Sequence, residues 1–190
     1  ITEDIAVEFE TAFYETKTLT MDPNDKTSGF KGNVPGRIDQ FKESGFGATQ
    51  AELRWRFARE TETTWEKFVA FEVEFPLQKD KRLIGAQDWE VVTAFGWVKG
   101  FPWGTITPRF SLEYDGEEFG VCECALEYLK RVSDSWRVVT TLEGDLDEIS
   151  LIGELQYFIS PHALLKLNTG LGLTETAPDF APEVGVMFTF

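Results

Sequence analysis

The chain has 190 residues, room for one domain or two small ones, with 18 Lys+Arg against 33 Asp+Glu and a net charge of −15. Such a balance excludes the phosphate-neutralising surface that nucleic-acid binding needs. Apolar residues make up 42% and aromatics 14%, far above a disordered composition, yet no apolar run approaches the ~18 residues of a membrane helix. Two classes remain: a soluble acidic β-protein and an outer-membrane β-barrel. The opening Ile1-Thr2-Glu3-Asp4 is polar and unlike a secretory leader.

In chain order, apolar and charged residues alternate with period two, which predicts strands over residues 5–14, 49–58, 65–75, 89–98 and 105–114, and then over 121–128, 136–143, 151–159, 163–173 and 180–190. In the second, Thr49, Ala51, Leu53, Trp55 and Phe57 oppose Gln50, Glu52, Arg54 and Arg56. In the sixth, Cys122, Cys124, Leu126 and Tyr128 oppose Glu123, Ala125 and Glu127. Ten segments of about 9–12 residues match strands that cross a bilayer at a tilt, and exceed the usual globular strand of about 5–6. The expected fold is therefore all-β: one antiparallel, up-and-down transmembrane β-barrel of about ten strands spanning 1–190.

The connections differ at the two ends. Residues 60–64, 99–104, 131–135 and 160–162 make short turns, whereas 19–47, 78–88 and 174–179 are longer and polar; 115–118 and 144–149 are short as well, but acidic. Short turns at one end and longer loops at the other is the outer-membrane arrangement, and it places both chain ends on the periplasmic side.

Alternation alone does not say which face is wet. Three features favour lipid on the apolar face. Filling a soluble ten-stranded barrel with Phe, Trp and Leu side chains is harder than filling one of eight strands. Aromatics gather toward the short turns, with Trp65, Trp97, Phe101, Trp103, Tyr128, Trp136 and Tyr157 forming an expected interfacial girdle. Basic residues Arg59, Lys67, Lys99 and Lys130 recur at the same end, suited to snorkelling toward lipid phosphates.

The final segment is the most specific stretch. Gly170-Leu171-Gly172-Leu173-Thr174-Glu175-Thr176-Ala177-Pro178-Asp179 precedes an alternating strand that ends at Phe190. A terminal aromatic on an amphipathic strand resembles the signal read by the outer-membrane assembly machinery. The GxGLTxxAPD run resembles the last hairpin of the transporters grouped under the MetA-pathway of phenol degradation. The likeness covers about 25–30 residues of a chain shorter than that family's usual length. It implies an outer-membrane location and passage of small, including aromatic, compounds.

The opposite face carries Glu8, Glu10, Glu52, Glu66, Glu72, Glu74, Glu90, Glu113, Glu123, Glu127, Glu143, Glu154 and Glu183, with Arg54, Arg56, Arg109, Arg137 and Lys166. Thirteen carboxylates to five cations fits a cation-preferring aqueous lumen. It equally fits an interior plugged by ion pairs. The single His162 reads as a turn residue, so no catalytic base is in view. Cys122 and Cys124 share a strand face, which is poor disulfide geometry. No cofactor or metal site is expected; the acidic loops around 115–118 and 145–148 read as solvated. The expected function is porin-like passive passage of small solutes, with the 19–47 connection as a constriction. The alternatives are a closed barrel anchoring a larger envelope assembly, and a soluble barrel holding a hydrophobic ligand. The expected partners are membrane lipid, lipopolysaccharide, small solutes and other envelope proteins.

Overall fold

The computed structural model describes residues 3–20, 40–81, 83–86, 88–114, 120, 123–145, 148–174, 177 and 179–189. Every described element is a strand: β1 (Ile5–Thr11), β2 (Glu15–Thr20), β3 (Gln40–Gly45), β4 (Thr49–Ala58), β5 (Glu66–Glu74), β6 (Glu90–Phe101), β7 (Gly104–Tyr114), β8 (Glu123–Arg131), β9 (Trp136–Gly144), β10 (Ile149–Ser160), β11 (Ala163–Gly172) and β12 (Ala181–Phe188). Ten of them form one antiparallel meander, ordered β1-β4-β5-β6-β7-β8-β9-β10-β11-β12. The ten segments of the alternating pattern correspond to these ten strands, although β1 has seven residues and β12 eight, fewer than the expected 9–12.

The sheet curls into a half-barrel. Glu10 on edge strand β1 lies within electrostatic reach of Glu154 on β10, Lys166 on β11 and Glu183 on the opposite edge, β12. Register keeps the charged set on one face throughout: Glu52 opposes Glu72, Ala70 opposes Ala94, Arg109 opposes Ala125, Glu154 opposes Asn168, and Asn168 opposes Glu183. A slip of one residue in any ladder would exchange the faces.

Two further strands correct the ten-strand expectation. β2 and β3 pair with each other in a separate two-stranded sheet; β2 lies mostly ahead of the expected 19–47 connection and β3 within it, and residues 21–39 of that connection lie outside the described residues. Ala12 N–H donates to Ala48 O and Gly47 N–H to Ala12 O, both at 2.9 Å, so the β1–β4 ladder runs on into β2–β3 in unchanged register. The two pairs are one long hairpin with an interruption, extending past the rim of the large sheet. Its strands escape the pattern because Glu15-Thr16-Lys17-Thr18 and Lys42-Glu43-Ser44 are polar on both faces. The 75–89 connection packs against it: Leu83 N–H donates to Glu43 Oε2 at 2.6 Å, and Ile84 is the most buried large side chain described.

The short turns are closed by their own side chains. Thr61 Oγ1 accepts from Thr64 N–H, Ser133 Oγ from Trp136 N–H, and Ser160 Oγ from His162 N–H, at 3.1–3.2 Å. Each hydroxyl supplies the local acceptor that a tight reversal lacks. The β6–β7 connection is shorter than the expected 99–104 turn. Phe101 pairs with Gly104, leaving only Pro102 and Trp103 between strands and placing Lys99 within β6. The Tyr128 hydroxyl donates to Trp103 O at 2.8 Å and its ring lies where a Gly104 side chain would be.

Candidate functional site

The two faces of the curled sheet are inverted relative to a water-soluble barrel. On the convex face Leu53, Trp55, Phe57, Phe71, Leu112, Leu126, Leu142 and Leu171 are exposed, Trp55 to 52% and Leu126 to 49%. On the concave face their strand neighbours Glu52, Arg54, Arg56, Glu72, Glu74, Arg109, Glu123, Arg137, Glu154 and Lys166 are half-buried. Exposed apolar side chains in register over so many strands form a continuous belt, not scattered singletons.

The concave face is chemically divided along its length. Between the acidic end and the charged short-turn rim it carries an apolar patch. Phe68, Ala70 and Ala94 form a buried cluster with Val98 packed against it, and Val139 and Leu164 are buried on the same face. The tip of the Phe68 ring occupies the space where a side chain on Gly96 would be, so glycine leaves room for the ring. Two guanidinium groups use these rings as seats. Arg54 lies 4.6 Å from the Phe68 centroid and Arg137 lies 4.4 Å from that of Phe158.

Toward the loops the same face is acidic. A cavity of about 170 Å³ is lined by Glu52, Glu72, Glu90, Glu113 and Glu123 around Arg109. Arg109 is within electrostatic reach of Glu72, Glu127 and Glu143, from three different strands, and makes no direct salt bridge among the described residues. Arg54 is committed more closely, its Nε 3.0 Å from Glu52 Oε1. Glu127 senses Arg54, Arg109 and Lys166 together. Glu154 accepts a hydrogen bond from Gln156, and Glu183 one from Asn168 at 3.0 Å. Carboxylates thus outnumber the cations they surround, and the excess faces the cavity. Among the described residues no three of His, Cys, Asp or Glu are placed to hold a metal ion.

At the short-turn end, outward-facing aromatics meet in a chain. Trp65 and Phe101 have ring centroids 6.3 Å apart, Phe101 stacks on Trp103 at 4.9 Å, and Trp103 lies 5.7 Å from Tyr128. Trp136 and Tyr157 pair at 4.7 Å on the next strands, and Trp97 lies 5.8 Å from Phe110. Lys67 and Lys130 are exposed among them. Arg59 and Lys99 are engaged by the protein. Arg59 bonds Asp4 and Glu3 at 3.0–3.1 Å, and Lys99 Nζ donates to Thr61 O at 2.6 Å and pairs with Glu60 at 3.2 Å. Hydrogen bonds from Arg59 and then Arg56 hold the Asp4 carboxyl below the usual carboxylate range. Phe190 lies outside the described residues, as do Cys122 and the acidic run at 115–118. Cys124 is exposed on the convex face with a free thiol. His162 sits in its turn, with Nδ1 3.2 Å from Thr189 O.

A second aromatic set, which the pattern did not single out, lies at the loop end. Phe75 and Trp89 meet edge to face at 5.4 Å, and Phe13 and Phe46 at 5.8 Å. For Phe13, Phe75 and Trp89 the signal was a ring at the far end of an alternating segment; Phe46 falls in the 19–47 connection. Trp65 and Phe75 flank the nine-residue β5 ten residue steps apart, about 33 Å along the strand and about 23 Å in height at a tilt of about 45°. A membrane barrel's apolar band between its aromatic girdles is about 25 Å tall. No protein-family model matches the chain, and no curated protein matches it either.

Proposed function

We propose that the chain is an outer-membrane β-barrel that admits small cations passively into an acid-lined interior. The observation that carries this is the inverted facing: an exposed apolar belt outside, bounded by aromatics at both ends, with carboxylates inside. Lipid hydrocarbon satisfies the belt, and the barrel closes along the β1 and β12 edges because unpaired backbone is costly in hydrocarbon. The short turns face the periplasm; lipid and lipopolysaccharide are the surrounding partners. Rings of carboxylates select cations by field, and Arg109 within them tempers the charge. Passage of small aromatic solutes is supported only by the resemblance of the last hairpin.

A second reading is favoured by the apolar cluster around Phe68, Val139 and Leu164, which narrows the interior between the acidic end and the short-turn rim. It makes the protein a closed anchor within a larger envelope assembly. Single-channel recording in a planar bilayer under a salt gradient separates the two. Stable conductance with a cation-selective reversal potential supports passage. A folded, inserted protein that never conducts supports the anchor, and extraction into buffer without detergent overturns both.

A further inference from the structure

Three cations line one cavity at the short-turn rim whose lining holds no carboxylate. Arg131 ends β8 and Arg137 begins β9, and the two are direct cross-strand partners. Like charges placed opposite each other in a ladder are destabilising. Lys130, next to Arg131 in the chain, reaches the rim from the outward face, whereas Arg131 and Arg137 reach it from the inward face. Among the described residues none of the three makes a salt bridge, and Arg131 is the charge that Arg137 senses. Asp134, the one carboxylate in the connecting turn, is exposed and makes no ion pair with them. In a chain of net charge −15, a concentration of unneutralised cations is a departure that needs a cause.

The three line a cavity of about 460 Å³ together with Phe101, Trp103 and Leu129. Its lining therefore joins cationic residues to aromatic and aliphatic ones. Trp103 is held by the Tyr128 hydroxyl and by stacking on Phe101. Arg137 is seated on Phe158. The cavity lies at the level of the aromatic chain Trp65–Phe101–Trp103–Tyr128.

We infer that this rim cavity binds the phosphodiester of an anionic phospholipid, with the lipid's glycerol and upper acyl carbons against Phe101 and Trp103. The inference rests on the outer-membrane reading. Forked guanidinium groups suit phosphate oxygens, and charge-assisted bonds are about twice as strong as neutral ones. A bridging phosphate also removes the Arg131–Arg137 repulsion. The aromatic lining distinguishes a lipid from free phosphate, which has nothing to place against it.

The full chain is refolded into phosphatidylcholine vesicles with and without phosphatidylglycerol. Flotation first reports whether it inserts into the neutral vesicles. Native mass spectrometry of the detergent-extracted protein then counts retained lipid. We expect retention of one phosphatidylglycerol in preference to phosphatidylcholine. The K130Q/R131Q variant should weaken that retention by about tenfold, the loss of roughly one charge-assisted bond. It leaves the Arg137–Phe158 contact in place, and its folding is read from heat-modifiable gel migration. A second variant, R137K, retains the charge but loses the fork, and should weaken retention less. Equal retention by wild type and K130Q/R131Q overturns the inference while leaving the barrel intact. Inorganic phosphate that binds as tightly as the lipid overturns the lipid as ligand. A protein that fails to float overturns the outer-membrane reading and this inference with it.

Discussion

Asp4 shows how a single carboxyl ties an end of the chain to the sheet. It accepts from Arg56 at 3.0 Å and from Arg59 at 3.0–3.1 Å, and these bonds depress its proton affinity. A depressed folded-state pKa means that the contribution is complete above the unfolded value of about 4 and is lost as pH falls through the folded value. Asp4→Asn lacks that titration. Melting in detergent should show the wild type ahead at pH 7 and the two curves converging in acid; parallel curves would remove Asp4 from the stability balance. The effect is small because the pair is exposed. Phe68 is the contrasting case, 2% exposed on the concave face. Gly96→Ala forces its ring aside, at about 1–3 kcal/mol for overpacking. Adding Phe68→Leu should recover part of that loss, as measured by denaturant titration. An additive double variant would show that the two residues do not meet. Neither relation is visible in the linear sequence, where Phe68 reads as an apolar intruder on the charged set and Gly96 as a gap in β6.

At the scale of elements, the β6–β7 turn is held from a neighbouring strand. Tyr128→Phe removes the bond to Trp103 O and should cost about 0.5–1.5 kcal/mol, with little change in far-UV circular dichroism. No loss would mean that the Phe101–Trp103 stack alone suffices. The ten long strands were legible because each places apolar residues at every second position, and burying or immersing that face in lipid leaves no other register acceptable. β2 and β3 were illegible for the same reason inverted: alternation carries no message where both faces are polar. They are strands because they continue the β1–β4 ladder, so backbone hydrogen bonds and register alone extend them. The turn at Pro102-Trp103 was overestimated because Lys99 and Gly100 look like turn residues. Lys99 instead spans to Thr61 O and Glu60 of the neighbouring turn, which holds it inside the strand.

At the scale of the whole molecule, the inverted facing makes the sharpest prediction. Leu126 lies midway along β8, is 49% exposed, and faces outward. In a bilayer, Leu126→Arg should lower folding free energy by about 2–4 kcal/mol, whereas an exposed surface site in water would change by about 0.5 kcal/mol or less. Urea titration of the refolded protein in short-chain lipid vesicles measures the difference, and a negligible change would count against lipid on that face. Within the interior, Arg109→Gln removes the cation at the centre of the acidic cavity. It should shift the reversal potential further toward cation selectivity; an unchanged potential would show that Arg109 is not in the conduction path.

By itself the sequence determined the strand class, the positions of the ten long strands and which residues share a face, because a period of two is a property of the backbone that needs no partner. The net charge and the split between carboxylates and aromatics followed from composition alone. Which face turns outward was decided only by the tertiary structure, since the direction in which a sheet curls depends on all its ladders at once. So were the apolar cluster beneath the acidic cavity, the commitment of Arg59 and Lys99 to protein acceptors, and the meeting of Lys130, Arg131 and Arg137. Each of these depends on residues brought together by neighbouring ladders and turns, and side-chain chemistry at one position does not encode the distance to another.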